Sequence, residues 1–371
     1  MGSPDSLAAD VGPVIDAPAR DALLRHIEAM RAQGHRVAQC SRREGTLDGT
    51  FVPPTLIEID SLDRLGREVF GPVLHVLRYR RDELDTLVER INALGYGLTL
   101  GIHSRVDEQI DAIVRRARVG NIYVNRNVVG AVVGVQPFGG EGLSGTGPKA
   151  GGPLYLYRFL ASCPPDTAMR ELQALDALEA TPDTLRDRRT LQALAALRAW
   201  NGASPALKRQ CERLLEVSPL GAPVLLPGPT GERNSYAILP RERVLCLAET
   251  NDDRLAKLAL VLSLGTRAVW PVEASASALR ARLPEIVREA VIEVRDWTAA
   301  EARYDAVLHH GSRESRLAAG RLLAEREGPI VLLHAFEPGE PPLTVERLLV
   351  ERVVSVNTAA AGGNASLMTV G

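Results

Sequence analysis

Short β-prone apolar runs alternate with stretches of helical period along most of this chain, and that alternation restricts it to an α/β architecture with a largely parallel sheet. Residues 18–31 read as a helix, with Leu23, Leu24, Ile27 and Met30 at helical spacing and Gly34 as a stop. A short strand is predicted over 36–39, and an extended segment broken by Pro53 and Pro54 over 50–59. A strand over 74–79 precedes an amphipathic helix over 81–94, whose Leu84, Leu87, Val88 and Ile91 share a face. Strands at 98–103 and 121–125 flank a helix at 106–117.

The pattern breaks at Cys163-Pro164-Pro165-Asp166, and an Arg- and Leu-rich helical stretch runs from 167 to 217. Alternation then resumes. Strands are predicted at 224–226, 244–247, 268–270, 291–294, 304–309 and 330–333, with helices at 253–264, 275–288 and 313–326. This second layer has its own apolar supply and reads as a Rossmann-like domain. Residues 348–356 alternate like an edge strand or a hairpin arm. The expected division is therefore 1–162, then 166–345 as a helical lead-in with a Rossmann-like accessory domain, then a tail over 346–371.

Composition narrows the function classes. A net charge of -2 leaves no electrostatic footprint for nucleic acid, and 4% aromatic residues offer no stacking platform. Cys40, Cys163, Cys211 and Cys246 are scattered, without a CxxC pair or a histidine at ligand spacing. Neither a metal site nor a disulfide framework is expected from them. There is no apolar run of 18 residues and no basic-then-apolar leader, so a reduced, cytoplasmic protein without a membrane span is expected.

Two loops carry the chemistry. Pro137-Phe138-Gly139-Gly140-Glu141-Gly142-Leu143-Ser144-Gly145-Thr146-Gly147 has five glycines in eleven residues. Such backbone can approach a ligand closely, with Phe138 as an apolar wall, although glycine content alone describes a flexible surface loop equally well. Just before it, Gly130-Ala131-Val132-Val133-Gly134 could present adjacent N–H groups to a carboxylate or be a plain turn of small residues. Farther upstream, Glu68-Val69-Phe70-Gly71-Pro72-Val73 sets a carboxylate beside an aromatic ring. Glu68 could accept from a ribose diol, whereas the commoner role of a loop glutamate is solvation. His309-His310 would point to opposite faces of a strand and cannot share one metal. Gly228-Pro229-Thr230-Gly231-Glu232 lacks the lysine of a phosphate loop and reads as a turn.

Taken together, Asp10-Val11-Gly12-Pro13-Val14-Ile15-Asp16, residues 68–73, Asn125-Arg126-Asn127 and residues 137–147 resemble, in order and spacing, the aldehyde dehydrogenase superfamily over residues 1 to about 160. Gly130-Ala131 ahead of Gln136-Pro137-Phe138 resembles the aldehyde anchor loop of L-glutamate γ-semialdehyde dehydrogenases. The stretch 355–368 resembles the closing motif of the bifunctional proline utilization A family, in which an FAD proline dehydrogenase is joined to an NAD-dependent aldehyde dehydrogenase.

The resemblance implies an aldehyde dehydrogenase catalytic-domain portion followed by a second Rossmann-like α/β domain. It implies that Glu68 and Phe70 contact the nicotinamide-side ribose of NAD. Gly130 and Ala131 would bind the substrate α-carboxylate through backbone N–H groups, and Phe138 would pack on the aliphatic chain. FAD would belong only to the proline dehydrogenase part, and the parent would be a homo-oligomer. The implied chemistry is attack of a cysteine thiolate on the aldehyde, hydride transfer to NAD, and hydrolysis of the thioester to glutamate.

Family nucleophiles lie shortly before the segment matching residues 10–16. Cys40 sits in a polar stretch without a neighbouring base, and Cys163 follows the loops, so neither suits the role. The chain alone is therefore expected to be inactive without a missing N-terminal half. The competing expectation is a noncatalytic lid, tunnel wall or oligomerisation module of the same parent.

Overall fold

The computed structural model describes residues 1–41, 49–160, 176–177, 188–217, 224–342 and 345–359. They form two compact units, Met1–Leu94 and Gly95–Gly371.

In the first unit, helix α1 (Ala17–Ala32) starts where the Asp16 side chain accepts from the Ala19 N–H at 2.8 Å, with Pro18 in the first turn. Leu23, Ile27 and Met30, one stripe at helical spacing, are buried. They pack with Val52, Ile57 and Ile59 on a sheet of β1 (Arg36–Gln39), β2 (Thr55–Ile59) and β3 (Val73–Leu77), in that order. β2 is antiparallel to β1 and parallel to β3. It begins immediately after Pro53 and Pro54, which have no N–H to donate to a ladder. Helix α2 (Leu84–Ala93) follows, and the predicted helix opens with a 3-10 turn over Arg81–Glu83.

The second unit holds two larger sheets. β4 (Tyr96–Gly97) pairs with β7 (Glu141–Gly142) as a small ribbon. β5 (Thr99–Ile102) leads through α3 (Asp107–Arg116) to β6 (Asn121–Val124), all four residues of which are buried. β8 (Asp176–Ala177), α4 (Arg188–Ala199), α5 (Pro205–Val217), β9 (Val224–Leu226) and β10 (Glu232–Pro240) come next.

Then follow β11 (Arg243–Ala248), α6 (Asn251–Ser263), β12 (Arg267–Pro271), α7 (Ala274–Arg282), α8 (Glu285–Glu289) and β13 (Val291–Val294). The unit closes with β14 (Ala306–His310), α9 (Arg313–Glu325), β15 (Leu332–Phe336) and β16 (Leu349–Asn357). β11 to β15 make a parallel sheet of order β13-β12-β11-β14-β15, the winding expected of a Rossmann-like layer. Among the described residues, no helix is long and apolar enough to cross a membrane.

Several findings differ from the sequence reading. Residues 349–357 are not an edge. β16 lies inside the sheet β5-β6-β16-β10-β9-β8, parallel to β6 and antiparallel to β10. β10 carries no apolar alternation at its start, because its inward positions there are Asn234 and Tyr236. The predicted helix over 275–288 is two helices, since Pro284 cannot continue the ladder and opens α8 instead. The compact division also falls elsewhere than 162–166. One sheet draws β5 and β6 from the first predicted domain and β9, β10 and β16 from the later ones.

Candidate functional site

In the first unit, the segment before β3 is held at both ends. Val69 packs with Leu65 and Val73 against the α1 cluster, and the Thr55 N–H donates to the Pro72 carbonyl at 2.9 Å. With Val69 turned inward, Glu68 and Phe70 are both exposed, Phe70 to 86%. A carboxylate and an apolar ring are thus raised together from a segment held at both ends.

The second unit holds the loops. Asn125, at a φ of 54°, turns the chain out of β6, and its side chain bonds both the N–H and the carbonyl of Ser104 at 3.0 and 2.9 Å. Arg126 follows, 5.1 Å over the Tyr123 ring and ion-paired with Glu232 at 2.6 Å. It also donates to Ser355 Oγ at 3.0 Å. Gly130 takes a φ of 87°, which disfavours any side chain there. It is exposed and Ala131 is half-buried.

The N–H groups on either side are used within the loop. Val129 donates to Asn127 Oδ1 at 3.3 Å and Val132 to Gln136 Oε1 at 2.9 Å. Among the described residues, the two consecutive N–H groups between them, of Gly130 and Ala131, meet no acceptor. Gln136 is 3% exposed, and its Nε2 donates to Glu232 and, at 3.2 Å, to Asn234 Oδ1.

The glycine-rich loop is clamped along its length. Phe138, half-buried, exchanges both backbone hydrogen bonds with Ala150 at 3.0 and 2.9 Å. Asn121 donates to the Pro137 carbonyl at 3.0 Å and accepts from the Gly139 N–H at 3.2 Å. Lys149 Nζ donates to Asn121 Oδ1 at 2.9 Å and to the Gly139 carbonyl. Its backbone N–H donates to Glu351 at 2.6 Å, and Tyr236 donates to the other Glu351 oxygen at 2.8 Å.

Burial governs the charges. It lowers Lys149 to about 8 and raises Glu351 and Glu141, with Arg352 placed 3.8 Å from Glu141. At Gly120 a Cβ would lie 1.9 Å from the Gly139 carbonyl oxygen, so only glycine lets β6 and the loop meet. A loop that glycine content could describe as flexible is thus a packed one.

Elsewhere the chemistry is quiet. Burial pushes the Cys211 thiol up to about 11 and Cys246 up to about 12, so neither is a thiolate at neutral pH. Cys40 is exposed at the end of β1, and Cys163 lies outside the described residues, as does the closing motif beyond residue 359. His309 and His310 are buried with separate partners, Ser315 Oγ at 3.2 Å and the Glu340 carbonyl at 2.8 Å. Residues 229–232 are a turn, with the Glu232 N–H bonded to the Pro229 carbonyl at 3.1 Å. Sequence reasoning missed Gln136, Glu232, Asn234, Lys149, Glu351 and Ser355 as supports of the loops. Gln136 alone had a signal, its place in the motif.

Residues 1–162 match the family model for the aldehyde dehydrogenase family. The bifunctional protein PutA of Salmonella typhimurium (strain LT2) is 50% identical over 376 residues, covering 100% of this chain and 28% of that protein. 1-Pyrroline-5-carboxylate dehydrogenase 2 of Bacillus subtilis (strain 168) is 39% identical over 158 residues, covering 41% of this chain and 29% of the enzyme. The solved structure of proline utilization A from Corynebacterium freiburgense is alike in fold, with a TM-score of 0.52 and 20% identity over 89% of this chain and 30% of that one. The chain thus spans less than a third of these curated relatives. Residues 1–162 are thus similar to the aldehyde dehydrogenase family, and the chain corresponds in sequence, over its whole length, to one portion of the bifunctional PutA proteins.

Proposed function

We propose that this chain is part of an NAD-dependent L-glutamate γ-semialdehyde (1-pyrroline-5-carboxylate) dehydrogenase of proline catabolism, which oxidises the aldehyde to glutamate. The observation that carries this reading is 50% identity to PutA along the entire chain. The geometry supports it: paired N–H groups at Gly130 and Ala131 suit a carboxylate, and Phe138 sits beyond them on the clamped loop. Gly130 and Ala131 hold the α-carboxylate, Phe138 packs on the aliphatic stem, and Glu68 and Phe70 receive the nicotinamide-side ribose. NAD supplies the hydride acceptor when bound. The nucleophilic thiolate and the remaining NAD contacts come from another part of the parent protein, as does any FAD chemistry. The protein works in the cytoplasm as a homo-oligomer.

The test is NADH formation from L-glutamate γ-semialdehyde by the purified chain, alone and mixed with the remaining portion of the parent. Activity only in the mixture is expected. NADH formed by the chain alone would remove the need for a contributed nucleophile. No activity from two folded partners would overturn the enzymatic reading.

A noncatalytic role for residues 243–336 is favoured by the carboxyl ends of β11 and β14, where an open α/β sheet usually takes its ligand. There Glu249 accepts from the Ser312 N–H at 3.2 Å and from Ser315 Oγ at 3.1 Å, bridging the two strands. The first turn of α6 is acidic, with Asp252 and Asp253, which repels phosphate. Glu249→Ala is expected to lower stability and leave aldehyde oxidation intact. Lost turnover at unchanged stability would argue for a ligand there.

A further inference from the structure

The loop that carries Gly130 and Ala131 is oriented by a residue nearly a hundred positions away. A side-chain amide has a donor end and an acceptor end, and a buried one must be told which way to point. Gln136 is told by β10. Glu232, as a carboxylate, offers only acceptors, and Asn234 adds another through Oδ1, so the Gln136 NH2 group faces β10. That leaves Gln136 Oε1 facing the loop, where it takes the Val132 N–H at 2.9 Å. Glu232 is itself fixed by Arg126 at 2.6 Å and by Ser355 Oγ at 3.1 Å, so it cannot swing away to release the amide. With Val132 and Val129 both engaged inside the loop, the N–H groups of Gly130 and Ala131 stay available together.

We infer that Glu232 is a positioning residue for substrate. Through Gln136 it sets the loop so that two adjacent N–H groups, and not the Val132 N–H, receive the α-carboxylate of the aldehyde. The inference rests on the proposed dehydrogenase reading and extends it to a residue outside the family segment 1–162.

The experiment compares two aldehydes in the full parent enzyme: L-glutamate γ-semialdehyde and butanal, which has no α-carboxylate. Glu232→Gln keeps the size but adds a donor, so the Gln136 amide is free to turn over. Gln136→Met keeps the volume and removes the amide. For each variant, KM for the semialdehyde is expected to rise about tenfold or more, with kcat within about threefold of the parent. The kcat/KM for butanal should hold.

Equal losses of kcat/KM for both aldehydes, with a lowered Tm, would make Glu232 merely structural and overturn the inference. So would unchanged kinetics in both folded variants. If the unaltered enzyme shows no preference for the carboxylate-bearing aldehyde, the anchor reading itself fails and takes this inference with it. That result is distinguishable because it appears before any substitution.

Discussion

Gly120 and the pair His26–His75 each turn one atom position into a measurable consequence. A Gly120→Ala methyl would lie 1.9 Å from the Gly139 oxygen and 2.6 Å from Lys149 Nζ, and the oxygen is backbone that cannot step aside. The variant is expected to lose about 2 kcal/mol or more in urea denaturation, and wild-type stability would disprove the clash. His26 Nε2 lies 2.9 Å from His75 Nε2, so one ring donates and the other accepts. Both pKa values are lowered below 6.5, chiefly by burial, with Arg67 acting further on His26 and His26 on His75. The unfolded chain therefore binds protons first as pH falls. The stabilisation is complete above 6.5 and drains away as pH drops through the folded values. Stability of the Met1–Leu94 unit should fall as pH drops below 6.5, and His75→Gln should flatten that fall. At this scale the sequence was uneven. Gly130, Ala131 and Phe138 stood out because a motif marks them. Glu232 did not, since it ends an ordinary turn and its partner Gln136 lies 96 positions away.

Among the elements, β16 combines two kinds of work. Its Val354 and Val356 pack on the α3 side, while Val353 enters the main core on the opposite face. Glu351 and Ser355 share the face of Val353 and reach the loops. Glu351→Ala would remove the acceptor that the Lys149 N–H and the Tyr236 hydroxyl share and one of the carboxylates beside the buried Lys149 ammonium. A loss of about 3 kcal/mol is expected by chemical denaturation, and a loss below about 0.5 kcal/mol would mean that the carboxylate is dispensable. The period-2 pattern of this strand was legible, but its neighbours were not, because alternation names a face and never a partner. Helices α1, α3, α6 and α9 were legible for the opposite reason, since their period is local, as are the caps Asp16, Thr250 and Ser312 of α1, α6 and α9. β10 escaped because its first inward position is the polar Asn234 and a charged pair, Glu232 and Arg233, opens it.

For the molecule as a whole, the sequence pattern changes near residues 163–166 while the sheet runs across that change. A fragment ending at residue 162 would keep β6 and lose β16, exposing a fully buried strand along one edge. Such a fragment is expected to aggregate on expression more than a chain through residue 359. A soluble, cooperatively unfolding 1–162 fragment would contradict this. The α/β class and the Rossmann-like winding were legible because strand and helix alternate locally. The shared sheet was not, because it depends on pairing between distant segments. Arg126 and Ser355 touch across 229 positions of sequence. At ribosomal rates of about 5–20 residues per second, roughly ten seconds or more separate their emergence. Through that interval β6 and the loops behind it wait without the strand that holds them. The geometry of these loops is then a property the nascent protein acquires only after β16 has emerged, and a ribosome that stops before β16 releases a chain whose family segment is fully translated but unsupported.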